Sequence, residues 1–183
     1  MKVIILAGGY GTRLAEYTDK IPKPMVKIGK KPILSHIMKI YQRYGYKKFI
    51  IAAGYKKKII EDYYKDTKEF DIQIVDTGED TMTGGRLLRL EQFIEKEENF
   101  FMTYGDGLCS INLNNLLNFH LKHKKIATVT AVHPPVRFGE LEINNDEVIN
   151  FEEKPQAKAG WINGGFFVLN QKIFSYIEGD KTM

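Results

Sequence analysis

The run Val3-Ile-Ile-Leu6, followed at once by Ala7-Gly8-Gly9-Tyr10-Gly11, constrains this chain more than any other stretch. Consecutive apolar, largely β-branched residues suit a strand buried on both faces, the habit of parallel sheets. The strand opens into three glycines, Gly8, Gly9 and Gly11. Without a Cβ, glycine lets backbone N–H groups close on a bound anion. Arg13 follows, and Lys23 stands between Pro22 and Pro24, whose rings stiffen its backbone. The glycines alone fit a plain strand-to-loop turn equally well. The two fixed cations turn the balance toward a triphosphate site.

Two other phosphate motifs are excluded. A P-loop closes its glycine loop with Gly-Lys-Ser/Thr, and no such triplet occurs here. A dinucleotide fingerprint needs a glycine where this chain has Leu14.

Downstream, strand and helix patterns alternate. Pro32 opens a helical pattern with apolar residues from Ile33 to Tyr44, stopped by Gly45. Lys48–Ala53 reads as a strand, Lys56–Lys65 as a helix with an apolar face that includes Tyr63, and Asp71–Asp76 as a strand. A polar, glycine-rich stretch from Thr77 turns helical from about Gly85. Phe100–Tyr104 is a strand closed by Gly105-Asp106-Gly107. Asn112–Lys124 is a helix, expected to turn Leu113, Leu116, Leu117 and Phe119 inward and to leave His120 and His123 at the surface. Ile126–Val132 is a further strand. This cadence predicts an α/β fold with a doubly wound, mostly parallel, Rossmann-like sheet. Ligands in such sheets sit beyond the carboxyl ends of the strands, where the glycine loop and Gly105-Asp106-Gly107 both fall.

The tail is β-rich. Gly139–Ile143 and Val148–Glu153 flank Asn144-Asn145-Asp146 as a hairpin, and Trp161–Leu169 is another strand, followed by a short helix over Lys172–Ile177. We expect this extension to add to the same sheet, so that residues 1–183 form one domain.

Composition narrows the function classes. The net charge of +4 is spread along the chain, and no basic stretch is interleaved with aromatics, so nucleic acid is not an expected partner. The single Cys109 excludes an internal disulfide framework and reads as a small buried hydrophobe. No apolar run approaches membrane-spanning length, and Met1-Lys2 leads straight into a strand with no signal peptide. The expected location is cytoplasmic. His36, His120, His123 and His133 have no metal-ligand spacing.

Leu6-Ala-Gly-Gly-Tyr-Gly-Thr-Arg-Leu14 with Pro22-Lys-Pro-Met25 resembles the signature pair of the sugar-1-phosphate nucleotidyltransferases. The resemblance implies a nucleotidyltransferase-type fold and transfer of a nucleotidyl group to a sugar 1-phosphate, with release of pyrophosphate. Thr77-Gly-Glu-Asp-Thr-Met-Thr-Gly-Gly-Arg-Leu87 is similar to the base-recognition stretch of the glucose-1-phosphate cytidylyltransferase branch. Pro32–Met38, Thr103–Gly107 and Ala127–Ala131 carry similar branch-like strings. The implied substrates are CTP and glucose 1-phosphate.

By this resemblance Leu6, Ala7, Gly8, Gly9, Tyr10, Gly11, Thr12, Arg13, Lys23, Thr81, Arg86 and Gly105 bind the nucleotide. Arg13, Lys23 and Asp106 serve catalysis, Arg13 by clamping the leaving phosphates and Lys23 by balancing charge at the α-phosphate. Asp106 between glycines suits Mg²⁺, which takes one or two carboxylates plus phosphate oxygens; it equally suits a turn. Gly139, Glu153, Lys154, Asn163 and Gly164 are implied at the sugar phosphate; each has a plain structural alternative. The family continues beyond the point matching Met183, where a second metal-binding aspartate and subunit contacts lie, so the resemblance implies a C-terminally truncated chain, either a fragment of a longer enzyme or a short form with an incomplete metal site, and leaves a homo-oligomer open. The cytidylyltransferase branch also has an insertion before Asp71 that this chain lacks. Another nucleotide or sugar, or a catalytically silent nucleotide-binding module, remain alternatives.

Overall fold

A computed structural model describes residues 1–11, 20–134, 140–152 and 160–183. Its main sheet has six strands: β1 (Lys2–Leu6), β4 (Lys48–Ala53), β5 (Asp71–Asp76), β6 (Asn99–Tyr104), β7 (Ala127–Val132) and β10 (Ile162–Asn170), in the order β5-β4-β1-β6-β10-β7. β1 runs parallel to β4 and β6, and β4 parallel to β5; β10 is antiparallel to β6. The mostly parallel, doubly wound arrangement is therefore present. Two short strands, β2 (Lys27–Ile28) and β3 (Lys31–Pro32), pair with each other before helix α1 (Ile33–Arg43). Pro32 thus ends a strand and caps α1 rather than opening its first turn. Helices α2 (Lys57–Tyr64), α3 (Thr83–Leu88) and α4 (Leu113–His123) complete the alternation.

β1 is the centre of the core. Val3, Ile4 and Ile5 have no exposed surface. Val3 and Ile5 face a cluster containing Leu34, Ile37, Met38 and Tyr41, a helical stripe of α1. Ile4 faces the opposite layer, with Leu87 and Leu90. Burial of each such side chain contributes about 1.5–3 kcal/mol. Gly45 ends α1's last turn at φ +86°, a conformation that suits glycine. On α2, Ile60 and Tyr64 are buried whereas Tyr63 is exposed.

Helix α4 departs from the expected pattern. Phe119 points to solvent and His120 is buried. The burial is tolerated because both ring nitrogens of His120 are satisfied: Nδ1 lies 2.8 Å from Thr128 Oγ1 and Nε2 lies 3.0 Å from Asn99 Oδ1. The amide of Asn170 also donates to Asn99 Oδ1, at 3.0 Å. His123 Nε2 lies 2.7 Å from the same threonine oxygen, and its Nδ1 accepts from the Lys125 N–H at 2.9 Å. Asn99 Oδ1 can only accept, so His120 carries its proton on Nε2 and takes the Thr128 hydroxyl proton at Nδ1. His123 then donates to Thr128. Both rings are neutral links in one directional chain. Burial, then the neighbouring His123, lowers the pKa of His120.

The chain forms two compact units, residues 1–128 with 165–183, and residues 129–164. In the second, β8 (Glu140–Asn144) and β9 (Glu147–Glu152) form their own two-stranded antiparallel sheet. Asn145 and Asp146 make its turn, both at positive φ (46° and 66°), the geometry of tight hairpins. Of the β-rich extension, β10 joins the main sheet; among the described residues, β8 and β9 pair only with each other. Lys172–Ile177 was expected to be a short helix; a 3₁₀ segment spans Gln171–Tyr176. Among the described residues, no helix is long and apolar enough to cross a membrane.

Candidate active site

A cavity of about 670 Å³ lies within the first unit, at the carboxyl ends of β1 and β6 and beside the segment that follows β5. It gathers Leu6 to Gly11, Lys23, Thr81, Arg86, Gly105 and Asp106, segments that are far apart in sequence. Thr12, Arg13, Gly139, Glu153 and Lys154 lie outside the described residues. Asn163 and Gly164 follow Ile162 at the start of β10, in the second unit.

One wall is the glycine loop. Ala7 closes the β1 ladder by donating to Ala52 O at 2.9 Å. The amides of Gly8, Gly9 and Tyr10 make no hydrogen bond to another described residue. They are donors at a strand end, as an anion requires. Tyr10 reaches across to donate its hydroxyl to Asp80 Oδ1 at 2.8 Å, which holds the phenol proton and raises its pKa.

The opposite corner holds Lys23 and Asp106. Lys23 begins a 3₁₀ turn over Lys23–Met25, in which Pro24 and Met25 are buried. Pro22 is extended at φ −66°, and Met25 N–H returns to Pro22 O at 2.8 Å. Pro24 packs on Gly105, where a Cβ would come within 2.8 Å of both Pro24 Cγ and Leu6 O. Gly105 N–H donates to Leu6 O at 2.9 Å. Glycine at 105 thus lets β1, the proline turn and β6 meet, and Lys23 Nζ stands 2.5 Å from Asp106 Oδ2.

The third wall is the segment before α3. Arg86 is buried, and its guanidinium spans the loop below it. Nη1 donates to Thr77 Oγ1 at 3.0 Å and to Gly78 O at 2.5 Å; Nη2 donates to Glu79 O at 2.8 Å. The Nε–H and one Nη2–H make no bond to a described residue. Burial, and then Arg89, pulls the pKa of Arg86 down; a guanidinium nevertheless stays charged. Arg86 therefore builds the wall as well as lining the cavity. Thr81, also buried, sits beside Gly78.

Asp80, Thr83, Tyr104 and Lys181 also line the cavity and were not singled out from sequence. Asp80 and Thr83 lie inside the same polar stretch as Thr81, so their place was readable by proximity. Lys181 carried no signal, being a hundred residues further on.

The nucleotidyl transferase family profile matches residues 2–182, and the chain belongs to this family. It is 44% identical to the glucose-1-phosphate cytidylyltransferase of Salmonella typhimurium, over the whole of this chain and 80% of that protein. It is 42% identical to the probable glucose-1-phosphate cytidylyltransferase of Bacillus subtilis, over 98% of this chain and 79% of that protein. The Salmonella alignment runs over 205 positions, more than the 183 residues here, as residues inserted in the relative require. Among solved structures, HddC from Yersinia pseudotuberculosis complexed with GMP-PN superposes with a TM-score of 0.77 at 30% identity, over 99% of this chain and 81% of that one.

Proposed function

We propose that the protein transfers a cytidylyl group from CTP to glucose 1-phosphate, yielding CDP-glucose and pyrophosphate. The similarity to two glucose-1-phosphate cytidylyltransferases across essentially the whole chain carries this reading. The cavity supports it, since it joins anion-ready amides, a lysine and the carboxylate paired with that lysine.

In this reading a phosphate oxygen of glucose 1-phosphate attacks the α-phosphorus of CTP, and the bond to the β-phosphate bridging oxygen breaks. Positioning and charge neutralisation do most of the work. The amides of Gly8, Gly9 and Tyr10 hold the phosphates; by resemblance Gly11 and Thr12 are assigned to the nucleotide and Arg13 to the leaving phosphates. Lys23 leaves Asp106 to meet the α-phosphate, its ammonium being a compact, mobile point charge. Thr81 and Arg86 face the pyrimidine side, and Gly105 keeps the floor open.

Mg²⁺ fits this site in one particular way. Among the described residues no cluster of three metal-binding side chains exists. Asp106, the carboxylate that follows β6, suits an ion held mainly by phosphate oxygens and water. Asp106 would hold it, and bound Mg²⁺ would neutralise phosphate charge. Gly139, Glu153, Lys154, Asn163 and Gly164 are assigned by resemblance to the sugar phosphate.

Pyrophosphate release tests the reading. CTP, UTP, dTTP and GTP are each supplied with glucose 1-phosphate and Mg²⁺. CTP should be favoured at least tenfold. Preference for another nucleotide would overturn the choice of base, and no release with any of them would overturn the enzymatic reading.

A further inference from the structure

The wall carrying Thr81 and Arg86 is braced from behind by residues 180–182. Met82 N–H donates to Asp180 O at 2.9 Å. Thr182 O accepts from Gly84 N–H at 2.9 Å and from Gly85 N–H at 3.3 Å. These amides at the start of α3 have no partner within the helix. The two glycines make the approach possible: a Cβ on Gly84 would stand 2.9 Å from Thr182 O, and one on Gly85 2.5 Å from Asp180 Cα. The pair Gly84-Gly85 inside the branch-like motif is thus required by packing against this segment.

Arg89, one turn after Arg86, fastens the brace. Its Nε donates to Asp180 Oδ1 at 2.9 Å and its Nη2 to Oδ2 at 2.5 Å. Each partner's pKa moves as the pairing demands, Arg89 up and Asp180 down. The same guanidinium stands against Gly78, where a Cβ would come within 2.7 Å of Nη1. Arg89 therefore touches both the brace and the loop that Arg86 holds. Neither Arg89 nor Asp180 lines the cavity, while Lys181, next to Asp180 in the chain, and Thr83, the first residue of α3, do.

We infer that the Arg89–Asp180 pair is a positioning device for the nucleotide-binding wall, acting on CTP affinity through Gly78, Met82 and α3 and not by contact with substrate. The bidentate fork fixes direction as well as distance, and this sets it apart from an ordinary exposed ion pair. The wall then meets the nucleotide already ordered, which spares the affinity an ordering penalty.

This inference rests on the proposed nucleotidyl transfer, and the experiment separates the two. KM for CTP and for glucose 1-phosphate, and the calorimetric Kd for CTP, are measured on the unsubstituted protein and on Arg89→Gln, Asp180→Asn and the reversed pair Arg89→Asp/Asp180→Arg. The single variants should raise KM and Kd for CTP three- to tenfold and leave KM for glucose 1-phosphate within twofold. The reversed pair should regain at least half of the lost CTP affinity on a logarithmic scale. Unchanged CTP affinity in folded single variants, or an equal rise for both substrates, would overturn the inference. A fall in Tm with no selective change in CTP affinity would overturn it too, since a merely structural clamp would do that. An unsubstituted protein that neither binds nor turns over CTP would instead overturn the functional reading.

Discussion

Arg86 lies directly against the backbone of Gly8: a Cβ at position 8 would stand 2.7 Å from the guanidinium carbon. At Gly54 a Cβ would come within 2.6 Å of Arg86 Nη1 and 2.8 Å of Gly8 O. One buried arginine is thus enclosed by the carboxyl ends of β1, β4 and β5. The glycine of a phosphate loop is here also the glycine that admits a cation beneath it.

Gly8→Ala should therefore destabilise the fold by about 1–3 kcal/mol, the range for forcing atoms into a packed site. Arg86→Met should cost on the order of 2–4 kcal/mol, because it strands the Thr77, Gly78 and Glu79 oxygens it now satisfies. Denaturant unfolding measures both. A neutral Arg86→Met would remove the wall-building role argued from these contacts.

The Lys23–Asp106 pair is partly exposed, and such pairs contribute little to stability. Asp106→Asn should leave Tm within about 3 °C, the shift of about 1 kcal/mol for a chain of this size. It should lower turnover by at least about 100-fold if the carboxylate serves phosphate chemistry. Tight Mg²⁺-dependent nucleotide binding, followed by calorimetry, should weaken in parallel. Full activity in the variant would return Asp106 to the status of a turn residue.

Chelation gives an independent check on the metal. Excess EDTA should stop pyrophosphate release, and Mg²⁺ should restore it, without any change in the far-ultraviolet circular dichroism. The fold should be indifferent to the ion because no described cluster forms a protein cage around one. Undiminished release under EDTA would contradict the assignment.

The neutral histidine chain on α4 makes stability depend on pH. His120 has a lowered pKa in the folded state, so the unfolded chain binds the extra proton first as the pH falls. Its contribution is complete above the ordinary histidine value of about 6.5 and is lost as the pH drops through the folded-state value. The urea midpoint should fall below pH 6.5, and His120→Gln should flatten that fall. An equally steep dependence in the variant would place the titration elsewhere.

Local pattern carried much of this fold into view. Val3 to Leu6 announced a buried strand because no polar residue interrupts it, and Asn144-Asn145-Asp146 announced a hairpin by turn chemistry. His120 was misjudged because polarity was read as exposure. Its partners, Asn99 and Thr128, sit on strands that only the tertiary fold brings to it. The same limit applied at the site. Lys23, Asp106 and the glycine loop stood out by residue type and line one cavity, but the clamp of Arg86 under Gly8, and the brace from Asp180, depend on close approaches that no residue spacing encodes. The hairpin's separation from the main sheet was hidden for a related reason: alternation shows that a strand exists, not which strand it joins.

Phosphorus NMR of one reaction mixture tests the central claim most directly. The protein is incubated with CTP, glucose 1-phosphate and Mg²⁺. The account predicts loss of the CTP β-phosphate and glucose 1-phosphate signals, with matched growth of pyrophosphate and of the paired diphosphate doublets of CDP-glucose. Persistence of both substrates, or release of pyrophosphate with CMP and no sugar nucleotide, would contradict it.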